Sequence, residues 1–169
     1  MTPKKYYSWN DTAQMVSDIC QQIAQTDWRP DYVVGITRGG NLPCKMISHY
    51  FDVPGESLTI KLRDGGENNV ESNCWMAEDA AMGKNILIVD DINDTGATFN
   101  WLVDDWEKSG PPGDWSNVWN NNIKFAVLTD NLGSEFTKDI DFHADEVNKN
   151  EQPVLSLIHI SEPTRPSLI

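Results

Sequence analysis

Ile86-Leu87-Ile88-Val89-Asp90-Asp91-Ile92-Asn93-Asp94-Thr95-Gly96-Ala97-Thr98 decides the reading of this chain. Its first four residues are an unbroken apolar run, the pattern of a strand buried on both faces. Two adjacent carboxylates follow that strand, then a third at Asp94. Thr95-Gly96-Ala97-Thr98 then opens a helix, with Thr98 near its N-cap and Phe99, Leu102, Val103 and Trp106 as its apolar stripe. The start of a helix presents N–H and hydroxyl donors to a phosphate. Paired carboxylates beside it accept from sugar hydroxyls or hold Mg2+. The bland alternative is a solvated turn with a capping Thr. Against it, two acids directly after a buried strand cost stability unless something binds there. The combination describes a place for a ribose 5-phosphate.

Working outward, Ser8 with Asp11 marks a helix start. Val16, Ile19, Cys20 and Ile23 keep helical spacing, so residues 9–25 read as an amphipathic helix. Residues 32–36 read as a buried strand, Thr37-Arg38-Gly39-Gly40-Asn41 as a turn, and Leu42, Met46, Ile47 and Tyr50 as a second helix. Residues 58–60 read as a weaker strand. Residues 62–84 lack periodicity and read as a long loop, with a short helix around 75–81. Gly110-Pro111-Pro112-Gly113 stops the third helix, residues 125–128 read as a further strand, and residues 131–133 as a turn. Helices alternating with short buried strands predict an α/β fold with a parallel sheet covered on both faces. Ligands of such sheets sit at the carboxyl ends of the strands, where residues 37–41 and 90–98 emerge.

The chain has 169 residues, the length of one domain. Lys and Arg number 13 against 26 Asp and Glu, a net charge of −13, which opposes binding to nucleic acid or an anionic membrane. Asp104, Asp105 and Glu107 on one helix read as a solubilising face. Trp75, Trp115 and Trp119 read either as a partly exposed subunit contact or as packing under loops. Cys20, Cys44 and Cys74 form no metal or disulfide spacing and read as free buried thiols of a reducing compartment. No apolar core of a signal peptide follows Met1, and no apolar run approaches a membrane span, so a cytoplasmic location is expected.

Four apolar residues, two acids, two variable residues and Asp-Thr-Gly-x-Thr closely resemble the phosphoribosyl-pyrophosphate (PRPP) signature of type I phosphoribosyltransferases. Trp9 at a helix entry, V-x-G-I-T-R-G-G-x-x-P and then D-D-x-x-D-T-G follow the order of bacterial xanthine-guanine phosphoribosyltransferases, over roughly residues 7–154. The resemblance implies that fold, with a central parallel sheet flanked by helices, a mobile loop and a small hood, here truncated. It implies Mg2+-dependent transfer of 5-phosphoribosyl from PRPP to a purine (xanthine, guanine or hypoxanthine), in a homodimer or homotetramer. By resemblance Asp90 and Asp91 contact the ribose hydroxyls with Mg2+ nearby. Asp94 handles the purine N7 proton, and Thr95, Gly96, Ala97 and Thr98 cradle the 5′-phosphate. Thr37, Arg38, Gly39 and Gly40 bind pyrophosphate, with a cis bond between Thr37 and Arg38. Loop 62–84 closes over PRPP, where Lys61 and Arg63 add charge or simply face solvent.

Two departures from the family pattern stand out. Purine-specific members place a Lys just after the strand equivalent to 125–129, where this chain has Thr129-Asp130-Asn131. Asn131 is the candidate base contact there. The expected aromatic and Pro-Trp-acid segment fails after Asn150. Residues 155–169 look like translated sequencing adapter, so the domain is expected over 1–154 with a foreign tail and impaired activity. Two other readings stay open. One is a PRPP-binding regulatory protein, and the other a phosphoribosyltransferase for a non-purine acceptor.

Overall fold

In the computed structural model, which describes residues 4–60, 62, 74–150 and 155–156, the 86–89 run lies in the central strand of a five-stranded parallel sheet. The elements are β1 (Lys4–Lys5), α1 (Trp9–Ala24), β2 (Tyr32–Thr37), α2 (Asn41–Phe51), β3 (Gly55–Thr59), α3 (Cys74–Ala81), β4 (Ile86–Asn93), α4 (Ala97–Ser109), a 3₁₀ turn at Trp115–Asn117, β5 (Ile123–Asn131), β6 (Phe142–Val147) and β7 (Leu155–Ser156). The sheet order is β3-β2-β4-β5-β6, and β1 pairs in parallel with β7 apart from it. The β2–β3, β3–β4 and β4–β5 crossovers carry α2, α3 and α4, whereas β5 reaches β6 through residues 132–141 without a helix.

Alternate residues of the strands build two cores. Val34, Ile36, Ile86, Ile88, Phe125 and Val127 face α3, α4 and the 3₁₀ turn. Val33, Leu87, Val89, Ala126 and Leu128 face α1 and α2. The doubly covered sheet is thus the one the alternation of elements predicts. Trp115 and Trp119 are buried at 8% and 6% exposure, and the Trp119 ring stacks on Trp115 and on Phe125. Their packing reading holds. Trp75 is 45% exposed and lies against Tyr32. Glu107, read as part of a solubilising face, accepts the indole N–H of Trp119 at 2.7 Å.

α1 begins at a complete capping box: the Ser8 hydroxyl accepts from Asp11 N–H and the Asp11 carboxylate accepts from Ser8 N–H. Its C-terminal carbonyls at Ile23 and Ala24 accept from the Arg29 guanidinium. Two boundaries at the carboxyl edge of β4 differ from the sequence reading. Strand β4 runs on through Asn93, because Asp90, Ile92 and Asn93 keep their register with Val127, Thr129 and Asp130 of β5. The acid pair therefore sits on the strand rather than in a loop. Helix α4 is capped by Gly96 rather than Thr98. The short helix expected around 75–81 is α3, Cys74–Ala81, while Lys61 and residues 63–73 lie outside the described residues. Cys20 and Cys44 are buried, and burial pushes both thiols up to about 11, whereas Cys74 is exposed, contrary to expectation.

Candidate active site

Parallel register delivers Asp90 and Asp91 to the carboxyl edge of the sheet beside the start of α4. Asp90 accepts from the Asp91 N–H at 2.8 Å, and Asp91 accepts from the Ile92 N–H at 2.9 Å. Burial and then the adjacent Asp91 charge raise the Asp90 carboxyl well above the ordinary carboxylate range. Among the described residues neither carboxylate has a basic partner. Residues 90–99 line a cavity of about 180 Å³. Its floor is the start of α4, where Gly96 adopts φ 86° and makes no side-chain cap. A side chain there would meet Phe136 N at 2.4 Å, so glycine is required on both counts. The first-turn N–H groups thus face the cavity without a side-chain acceptor, apart from a 3.3 Å contact from Ala97 N to Thr95 Oγ1. Glu135 N donates to Thr95 O at 2.9 Å and fixes this cradle from the β5–β6 connection.

The β2–α2 turn lies alongside. The Thr37–Arg38 peptide is cis, where the resemblance puts it. The Thr37 hydroxyl donates to the Thr59 hydroxyl at 3.1 Å. Arg38 is exposed and makes no ion pair with a described residue. Gly40 is buried at the start of α2. Gly39 is pressed onto Asp91: a Cβ at 39 would sit 2.3 Å from the Asp91 Cγ. Arg38, Gly39 and Asp91 share a second cavity of about 170 Å³, walled by Thr12, Leu42, Pro43 and Leu128. Asp91 lines both cavities and joins them.

Asp94 is the third acid, and its surroundings could not be read from the motif. Its carboxylate pairs with the Lys149 ammonium. Its carbonyl accepts from Asn131 Nδ2 at 2.8 Å. Asn131 Oδ1 in turn accepts from Gly133 N at 3.2 Å and from Lys149 N at 3.1 Å. Asn131 is 6% exposed, so its carboxamide is spent on backbone rather than presented to a base edge.

A family model of the phosphoribosyl transferase domain matches residues 3–164. The chain belongs to this family. Xanthine phosphoribosyltransferase 1 of Saccharomyces cerevisiae is 26% identical, over 62% of this chain and 61% of its own length. The hypoxanthine-guanine phosphoribosyltransferase of Schizosaccharomyces pombe is 27% identical, over 58% and 57%. The chain therefore spans about three fifths of the length of these curated relatives. The purine phosphoribosyltransferase of Pyrococcus horikoshii superposes with a TM-score of 0.65 at 21% identity, over 95% of this chain and 99% of that one. Its likeness is one of fold.

This phosphoribosyltransferase domain brings Arg38 and Gly39 together with residues 90–98 around two adjoining cavities, while Thr37 and Gly40 line neither of the two. Lys149, paired with Asp94, is the residue beside the motif that its pattern does not announce. Tyr7 is buried, and its hydroxyl donates to Asp145 at 2.6 Å. The Lys149–Asp94 pair joins residues 55 positions apart, which no local pattern encodes.

Proposed function

We propose that this chain is an Mg2+-dependent purine phosphoribosyltransferase of purine salvage, a pentosyltransferase. It moves 5-phosphoribosyl from PRPP to xanthine, guanine or hypoxanthine and releases pyrophosphate. One observation carries the reading. The cavity of residues 90–99 and the cavity of Arg38 and Gly39 meet at Asp91. A ribose 5-phosphate in the first and a pyrophosphate in the second would share the bond that must break. Thr95, Gly96, Ala97 and Thr98 hold the 5′-phosphate, Asp90 and Asp91 the ribose hydroxyls, and Thr37 to Gly40 the pyrophosphate, with Arg38 as its guanidinium donor.

The C1–oxygen bond to pyrophosphate breaks as the bond from C1 to the purine nitrogen forms, through an oxocarbenium-like state. Positioning and charge stabilisation supply most of the acceleration. Arg38 stabilises charge on the departing pyrophosphate. Asp94 takes the N7 proton. The residues present fit Mg2+: hard carboxylate oxygens, with the Asp90 carboxyl raised by burial and by its unrelieved neighbour. Asp91, with Asp90 beside it, would hold the ion, which supplies positive charge to the pyrophosphate when bound.

The Lys149–Asp94 pair supports a 6-oxopurine acceptor. It sets a hydrogen-bond donor next to an acceptor, which complements the C6 carbonyl and N7–H edge. A 6-aminopurine would turn an N–H toward the ammonium. Homo-oligomeric assembly and a cytoplasmic location belong to the same proposal, as does a domain over 1–154 followed by a foreign tail. The test is nucleotide formation from PRPP with Mg2+ and each of xanthine, guanine, hypoxanthine and adenine. Product with the 6-oxopurines alone is expected. PRPP binding without product from any base would favour the regulatory reading.

A further inference from the structure

We propose that Asn131 is a clasp that positions the base-recognising pair without touching the base, an inference that rests on the purine reading above. Asn131 closes β5, where register sets it beside Val147 of β6, and its neighbour Asp130 beside Asn93 of β4. From there its buried carboxamide joins two segments that no other hydrogen bond among the described residues links through backbone. Nδ2 donates to Asp94 O, and Oδ1 accepts from Lys149 N. The third bond, from Gly133 N, orders the turn between them. The orientation of the amide is fixed by these partners, since two N–H groups need the oxygen and one carbonyl needs the NH2.

The consequence is selective. Asp94 and Lys149 meet through their side chains, but each backbone is held at the same carboxamide. The phosphate cradle has separate anchors. Thr95 O accepts from Glu135 N, and Asn100 Oδ1 accepts from Thr137 N at 3.0 Å. Loss of the Asn131 donor therefore loosens the base end of the site and leaves the phosphate end in place. In Asn131→Asp the two acceptor bonds survive, while the third contact becomes an oxygen facing the Asp94 carbonyl.

Calorimetry on the full chain separates the two ends, with ribose 5-phosphate as the probe of the cradle and inosine and guanosine 5′-monophosphates as probes of both. Asn131→Asp should weaken the nucleotides by about tenfold or more, the scale of one lost buried hydrogen bond, with ribose 5-phosphate changed by less than about twofold. Equal weakening of all probes would mean a merely structural residue and overturn the clasp. Unchanged nucleotide affinity would overturn it as well. If Asp at this buried position prevents folding, the wild-type NMR comparison that follows decides the matter alone. As a second readout, the Asn131 carboxamide NMR signals in the wild-type chain should move less on adding nucleotide than those of a direct base contact, and a dominant shift there would contradict the clasp. A wild-type chain that binds ribose 5-phosphate but no purine nucleotide would instead sink the purine reading itself.

Discussion

Gly39 leaves no room for a side chain on the face it turns to Asp91. An added Cβ would lie 2.3 to 2.6 Å from the Asp91 carboxyl atoms, at the movable end of that side chain. Gly39→Ala should therefore cost little stability while displacing the carboxylate that joins the two cavities. The expected result is a KM for PRPP raised by about tenfold, with a thermal midpoint lowered by less than about 2 °C. Asp90 illustrates the opposite trade. Burial and the Asp91 charge raise its carboxyl, so its share of stability is present at low pH and lost as pH rises through the elevated value. Asp90→Asn keeps an acceptor for the Asp91 N–H and removes the repulsion. At pH 7 without Mg2+ it should melt about 2–4 °C higher, as roughly 1 kcal/mol would give in a chain of this size, and it should lose PRPP binding. The motif residues were legible in the sequence because one contiguous run supplies them. Asn131 was singled out along the chain as a base contact, but its carboxamide is spent on the backbone of Asp94, Gly133 and Lys149. Its side chain is directed by the pairing of β5 with β6, and that register is invisible along the chain.

At the scale of elements, the strands were legible where apolar residues run together and not where they do not. β6 carries Asp, His and Glu with little burial beyond Phe142, so no alternation announces it. What holds it is pairing with β5 and a cluster in which Lys5 and Tyr7 both donate to Asp145. Burial alone would raise the Asp145 carboxyl, but the bonds from Lys5 and Tyr7 outweigh it and hold it below the usual 3.8. Its contribution is thus present above that value and lost as pH falls through the lower folded one. Asp145→Asn should flatten the acid limb of a thermal-midpoint-against-pH curve below about pH 4. On the other face, Phe125 touches Phe99, Phe136 and Trp119. Phe125→Ala should lower unfolding free energy by about 3–5 kcal/mol in urea titrations, since three rings would border the void.

Across the whole molecule, each side of the sheet ends in the same place. The β2 turn and the β4 acids meet at the carboxyl edge, and the N-terminal segment reaches over to β6. A chain with net charge −13 can hold an anionic sugar phosphate there only through local donors, which the α4 start and Arg38 supply. The fold followed from the order of buried runs and the cavity at the α4 start from one motif, whereas the Asp94–Lys149 pair comes from contact between distant segments. The most direct test follows nucleotide formation from PRPP and Mg2+ with hypoxanthine, guanine, xanthine, adenine and orotate. It uses the 169-residue chain and, beside it, residues 1–154 joined to a Trp-containing C-terminal segment of the family. 6-Oxopurine nucleotides are expected from the second protein, weaker turnover from the first, and none from either after Asp94→Asn. Product from orotate or adenine instead, or no product from either protein while PRPP still binds, would contradict it.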